Sequence, residues 1–139
     1  MAAQELSRCN KSADGFCAIG AALTAAAIML GAFGAHGLQD ILDERGTAIY
    51  EKAVLYHFIS ALGILAGGIC GRIGLITQQM LVWIVRLLTV GILIFSGSLY
   101  LLAITQHRWL GMITPLGGIC FIIGWLLFAW GCWRSRAAA

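Results

Sequence analysis

Charged residues divide the chain into four long uncharged stretches, 15–39, 53–71, 87–107 and 109–133, of 25, 19, 21 and 25 residues. A helix rising 1.5 Å per residue crosses a hydrocarbon core of about 30 Å in roughly 20 residues. Each stretch is long enough. The pattern therefore predicts an all-α integral membrane four-helix bundle over 15–135, with spans near 15–35, 48–71, 80–104 and 113–133. Polar residues 1–14 form an N-terminal tail and 136–139 a C-terminal one.

Finer signals set the expected ends. Gly37, Gln39 and Asp40 close the first apolar run, and Leu38, Ile41 and Leu42 let the next connection lie as a short turn at the interface. Helix 2 is expected from near Thr47, because Tyr50, Ala53, His57, Ser60, Ala61 and Ile64 share one face at helical spacing. Helix 3 has two possible starts. One near Gln79 places Arg86 inside the span; one near Leu87 leaves 73–85 as an interfacial segment. Thr114 and Pro115 read as the N-cap and first-turn proline of helix 4. Small residues recur at packing intervals: Ala27, Gly31 and Ala35; Gly63, Gly67 and Gly71; Gly117, Gly124 and Gly131. Such stripes let helix backbones approach closely in lipid.

Composition narrows the function classes. Hydrophobic residues make up 60% of the chain and charged residues only 11%, against about 25% in a soluble protein, which excludes a soluble enzyme. The net charge of +3 comes from scattered residues without a basic, aromatic-interleaved run, so nucleic acid is not an expected partner. Five cysteines form no CxxC pair, and Cys17, Cys70, Cys120 and Cys132 are expected as free thiols packed like small hydrophobes. The apolar run 16–33 imitates a signal peptide but exceeds a cleaved core in length, so it is expected to stay as helix 1.

Four spans bring both termini to one side. That side carries Arg8, Lys11, Arg72, Arg86, Arg134 and Arg136, against Arg45, Lys52 and Arg108 on the other, which predicts cytoplasmic termini in an inner or plasma membrane. Trp83, Trp130 and Trp133 would anchor the inner face and Trp109 the outer, with Trp125 near mid-span. The polar residues within the spans then gather in the outer half: His36, Tyr50, Glu51, Tyr56, His57, Ser60, Ser96, Ser98, Tyr100 and Thr114. These are the candidate ligand-binding residues, lining an outer-facing vestibule.

Gly31-Ala32-Phe33-Gly34-Ala35-His36-Gly37, Tyr50-Glu51-Lys52-Ala53 with Tyr56-His57, Phe95-Ser96-Gly97-Ser98-Leu99-Tyr100, and Thr114-Pro115-Leu116-Gly117-Gly118 with Gly124-Trp125 occur in that order. Together they resemble a family of small four-helix membrane proteins that includes the bacterial YgdD and YwdK proteins and a human relative. The resemblance implies a multipass inner- or plasma-membrane protein without an established activity. Family members often carry a second histidine where this chain has Ser60, so a paired-histidine site is not implied here.

Several residues admit two readings. A histidine within a span, His57, marks a site or pathway; alternatively it is a neutral imidazole bonded to Ser60 or to a neighbouring helix. Glu51 and Lys52 are either interface charges or, for Glu51, a partner of His57 or His36 in a proton or cation site. Arg86 either snorkels to headgroups or binds an anionic lipid or substrate from within the bundle. Ser96 and Ser98 lack a GxSxG elbow, so no catalytic residue is assigned. His36, His57 and His107 have no metal-ligand spacing, and neither metal nor cofactor is expected. Small-solute, ion or lipid binding at the vestibule leads. A through path would need a homo-oligomer, because four short helices leave little room for one. An assembly or scaffold subunit packing on a partner through its glycine faces is the alternative, and an intramembrane enzyme the third.

Overall fold

The computed structural model describes residues 2–137, and the side chains of residues 11–135. Its elements are α1 (Ala2–Gly37), α2 (Glu44–Arg72), α3 (Gln78–Gly91), a π-helical turn (Ile92–Ser96), α4 (Gly97–Thr105) and α5 (Leu110–Ala137). α3, the π turn and α4 form one rod. Among the described residues four helical segments are long and apolar enough to cross a membrane: Lys11–Gly37, Glu44–Arg72, Gln78–Thr105 and Leu110–Ser135. Residues ahead of Gly15 continue α1 as helix from Ala2. The side chains of Arg8, Cys9 and Arg136 lie outside the described residues, as does most of the short C-terminal tail.

Capping chemistry explains where the rods differ from the expected boundaries. α2 begins three residues before Thr47 because the Asp43 carboxylate accepts the Gly46 N–H at 2.6 Å. Asp43 and Glu44 also suit the positive end of the helix dipole. The ambiguous third rod starts at Gln78, with the Thr77 hydroxyl accepting the Met80 N–H at 3.4 Å, so 73–85 is no separate interfacial segment. The N-cap expected at Thr114 is corrected. α5 opens at Leu110, where the N–H groups of Leu110, Gly111 and Met112 each bond three residues back, at 3.0–3.1 Å. Pro115 therefore sits inside the helix. Its missing N–H costs one bond to Gly111, early enough in the rod to leave the remaining turns intact.

The four rods are not equivalent. α2, α3–α4 and α5 enclose the main core, where Ile64, Leu81, Ile84 and Leu88 are fully buried. α1 lies along α2, barely meets α3, and among the described residues touches neither α4 nor α5. All three glycines of the α5 stripe face the α3–α4 rod: Gly131 meets Ile76 and Met80, Gly124 meets Leu88, and a Cβ on Gly117 would strike the Phe95 main chain. Gly63 lies beneath Trp125 and Leu88, and Gly71 against Leu81. Close approach of this kind supplies the van der Waals contact that holds rods together where apolar burial provides little drive.

The α1–α2 seam changes character along its length. Toward the Arg72 end the backbones touch: a Cβ on Gly20 would sit 2.5 Å from the Leu65 nitrogen, and one on Gly68 2.9 Å from the Cys17 nitrogen. Toward the His36 end side chains separate the rods, and Gly31 meets only Val54 Cγ1, at 3.2 Å from a built Cβ. Arg72 donates to Asp14 at 2.7 Å and closes the tight end. Both side chains are half exposed or more, so the pair contributes about 1 kcal/mol at most. At the other end Leu38, Tyr50 and Ala103 form a second small core with Leu42, Ile49, Val54 and Tyr100.

The π turn was not foreseen from the pattern. Its signature is the Gly97 N–H reaching the Ile92 carbonyl five residues back. One extra residue per turn rotates Phe95 against Gly117 and turns Ser96 into the interior, where it is fully buried. Such turns often accompany functional sites.

Candidate functional site

The half of the fold nearest His36 holds the polar residues singled out by the sequence, and they divide into two regions on different faces of α2. The first is a sealed seam between α2, α4 and α5. Tyr50, His57, Ser60, Ser96 and Ser98 are all buried there. Tyr100 Oη lies 3.4 Å from His57 Nδ1, and the Tyr100 ring stands 5.0 Å from that of Tyr50. The Ser98 and Thr114 hydroxyls meet at 2.9 Å across α4 and α5. Each also reaches a carbonyl of its own helix, Phe95 at 3.0 Å and Leu110 at 3.3 Å. With one proton apiece, one hydroxyl donates to the other and the second donates to its carbonyl. His57 Nε2 and Ser96 Oγ are buried without a protein partner.

The second region is a lateral groove of about 380 Å³ between α1 and α2, open on one side. Gly31, Gly34 and Ala35 line it from α1, Leu42 from the connection, and Thr47, Tyr50, Glu51, Val54, Leu55 and Phe58 from α2. From Thr47 to Phe58 it follows α2 for about 16 Å at 1.5 Å per residue. Its surface is apolar except at the His36 end, where Thr47 and Glu51 sit. Tyr50 is the wall shared with the seam: its hydroxyl donates to the Leu30 carbonyl on α1 at 2.9 Å. Gly34 makes this possible, because its missing Cβ leaves the space that the Tyr50 ring occupies.

A single outer mouth is thus replaced by two compartments. Glu51 lines the groove while His57 faces the seam, so the two do not pair. His36 is exposed on the last turn of α1 and makes no hydrogen bond or ion pair among the described residues. Tyr56 is 43% exposed and packs edge-on to Phe95 at 4.9 Å and over Phe121 at 6.3 Å. With Ser60 and Trp125 it lines another apolar groove, between α2 and α5. Arg86 is exposed, its guanidinium 5.6 Å from the Trp83 ring centroid, so it does not enter the bundle. Among the described residues no three His, Cys, Asp or Glu side chains gather to hold a metal ion.

Sequence reasoning missed Thr47, Val54 and Gly34 as site residues. Val54 and Thr47 belong to a face defined only by where α1 lies, and no periodicity within α2 marks it. Gly34 sits one turn from Gly31 and carried a signal only in retrospect, through its pairing with Tyr50. A polar recess of about 220 Å³ among Asp43, Arg45, Gln106 and Arg108 was also unforeseen. It depends on the left-handed Gln106, φ 58°, which ends α4 and turns its amide onto the Ala103 carbonyl at 2.8 Å.

Residues 30–118 match the family model described as a protein of unknown function, DUF423. The chain belongs to this family. A UPF0382 membrane protein of Staphylococcus saprophyticus is 44% identical over 119 residues, covering 86% of this chain and 97% of its own length. One from Staphylococcus epidermidis is 48% identical over 112 residues, covering 81% and 89%. The YwdK membrane protein of Bacillus subtilis is 43% identical over 117 residues, covering 81% and 90%. No solved structure matches the chain. The DUF423 segment contains every residue lining the α1–α2 groove and every polar residue of the seam. The protein is therefore a four-helix membrane protein of this family.

Proposed function

We propose that this protein resides in the inner or plasma membrane with cytoplasmic termini and binds a bilayer lipid in the lateral groove between α1 and α2. The groove itself carries the reading. It is apolar along its length, polar at one end, and open sideways between two spans, which matches the shape of an amphiphile entering from the bilayer. Its volume falls in the range of about 300–1,000 Å³ usual for small-molecule sites. The excess of Lys and Arg at the Arg72 end supports cytoplasmic termini, and the groove then faces the outer leaflet. Arg86 and Trp83 supply a separate contact for headgroups of the opposite leaflet.

Binding is favoured over catalysis because Glu51 and His57 lie on different faces of α2 and form no acid–base pair around a common point. Scaffolding through glycine faces is less favoured, since Gly20, Gly68, Gly117, Gly124 and Gly131 already pack within the chain. The groove is complete in one copy, so this function needs no oligomer.

Native mass spectrometry of the protein released from nanodiscs tests the reading. The wild type should retain lipid, and Val54→Trp, which fills the groove from α2, should lose most of it while keeping its helicity. Equal retention by a folded Val54→Trp protein would sink the proposal.

A further inference from the structure

Glu51 is the one charged residue lining the α1–α2 groove. No cation lines it. The positions three and four residues away on α2 are Thr47, Ala48, Val54 and Leu55, so no basic side chain on its own helix is placed to pair with it. Lys52, the next residue, points about 100° away around the helix. His36 and Asp40 lie on α1 and in the connection but do not line the groove. The ion pair found among the described residues, Asp14 with Arg72, is at the other end of the fold. Glu51 is thus an unpaired carboxylate at the polar end of an apolar groove.

Its depth fits a headgroup. α2 has 29 residues, or about 43 Å, which exceeds a hydrocarbon core of about 30 Å by some 6 Å at each end. Glu51 lies seven residues, about 10 Å, from the start of α2, a few ångströms inside the core boundary. Helical side chains lean toward the N-terminus of their helix, so the Glu51 carboxylate rises toward the headgroup layer. A carboxylate at that level without a protein partner favours a cation over an anion. Thr47, one turn nearer the surface, offers a hydroxyl as a further hydrogen-bond donor.

We infer that the groove selects a lipid whose headgroup carries an ammonium group, with Glu51 pairing the ammonium and the apolar floor between Gly31 and Phe58 taking an acyl chain. The source is the bilayer, because the groove opens sideways between spans. This inference rests on the lipid-groove reading and adds the headgroup class to it.

The test uses the full-length protein in nanodiscs of equal phosphatidylethanolamine and phosphatidylglycerol, with retained lipids identified by native mass spectrometry. The wild type should be enriched in phosphatidylethanolamine by about threefold over the bulk, the size of effect that a partly solvated ion pair supplies. Glu51→Gln should bring the ratio back to the bulk value, and Glu51→Lys should favour phosphatidylglycerol. Retention at the bulk ratio by the wild type, or unchanged enrichment in Glu51→Gln, overturns the headgroup assignment and leaves the groove reading standing. Enrichment that persists in a folded Val54→Trp protein overturns both, since the selected lipid then sits elsewhere. Circular dichroism of each variant confirms that the rods are intact.

Discussion

The two faces of α2 near His36 solve the problem of polar groups in a membrane in opposite ways. Toward α4 and α5, hydroxyls and an imidazole are buried and largely matched with each other, Ser98 with Thr114 and Tyr100 with His57. Toward α1, a lone carboxylate stands at the end of an apolar groove. The first arrangement joins helices, as interhelical hydrogen bonds do in bundles. The second leaves its polar group available. Adjacent residues of one helix thus serve cohesion and recognition, and the neighbour each faces decides which.

The strongest way to break the sealed side is to push its backbones apart. Gly117→Leu would drive a side chain into the Phe95 main chain at the π turn, where no flexible atom can give way. The expected loss is about 3 kcal/mol or more, at the upper end of overpacking costs. Gly67→Ala is the matched control. Its new methyl would meet Leu81 and Ile84 at ordinary contact distance, 3.5 and 3.9 Å, and alanine is the better helix former by up to about 1 kcal/mol. Thermal unfolding in detergent should therefore separate two glycines that look alike in sequence.

That likeness marks where sequence reading stops. The four spans were legible because uncharged run length reports directly on bilayer thickness, and the α2 face from Tyr50 to Ile64 because 3.6-residue periodicity reports on burial. The partner of each glycine was not legible. Gly20 and Gly68 bring the α1 and α2 backbones together yet stand outside the α1 and α2 stripes that spacing suggests. The position of α1, docked chiefly on α2, also left no pattern in the chain, and with it went the groove. Polar content placed Glu51 and His57 in the same half. Their separation onto two faces depended on the angle between neighbouring helices, which one helix's own sequence does not encode.

Tyr50 is where the two regions meet, so it offers a sharper test than either side alone. Gly34→Ala would displace its ring, disturbing both the Leu30 hydrogen bond and the contact with Tyr100. Overpacking at this site is expected to cost about 1–3 kcal/mol. Tyr50→Phe removes only the hydroxyl and should cost about 1 kcal/mol, the net worth of a typical hydrogen bond. If the groove wall is the ring, lipid retained in native mass spectra should fall in Gly34→Ala and hold in Tyr50→Phe. Equal loss in both would instead make the hydroxyl part of the lipid site.

The smallest effect concerns the two polar atoms that the seam leaves unmatched. Ser96 Oγ is buried at the π turn with no protein partner, as is His57 Nε2 on α2. A buried hydroxyl without a hydrogen bond costs about 1–3 kcal/mol relative to a matched one, and removing it relieves that cost. Ser96→Ala should therefore leave stability unchanged or raise it by up to about 1 kcal/mol, the opposite sign to most core substitutions. Ser98→Ala, by contrast, removes the hydroxyl pair across α4 and α5, leaving Thr114 only its Leu110 carbonyl, and should lower stability by about 1 kcal/mol. Thermal unfolding of the two variants in one detergent compares them directly. A loss in Ser96→Ala as large as in Ser98→Ala would mean that a bound molecule completes the Ser96 site. The face of α2 now assigned to cohesion would then also take part in recognition.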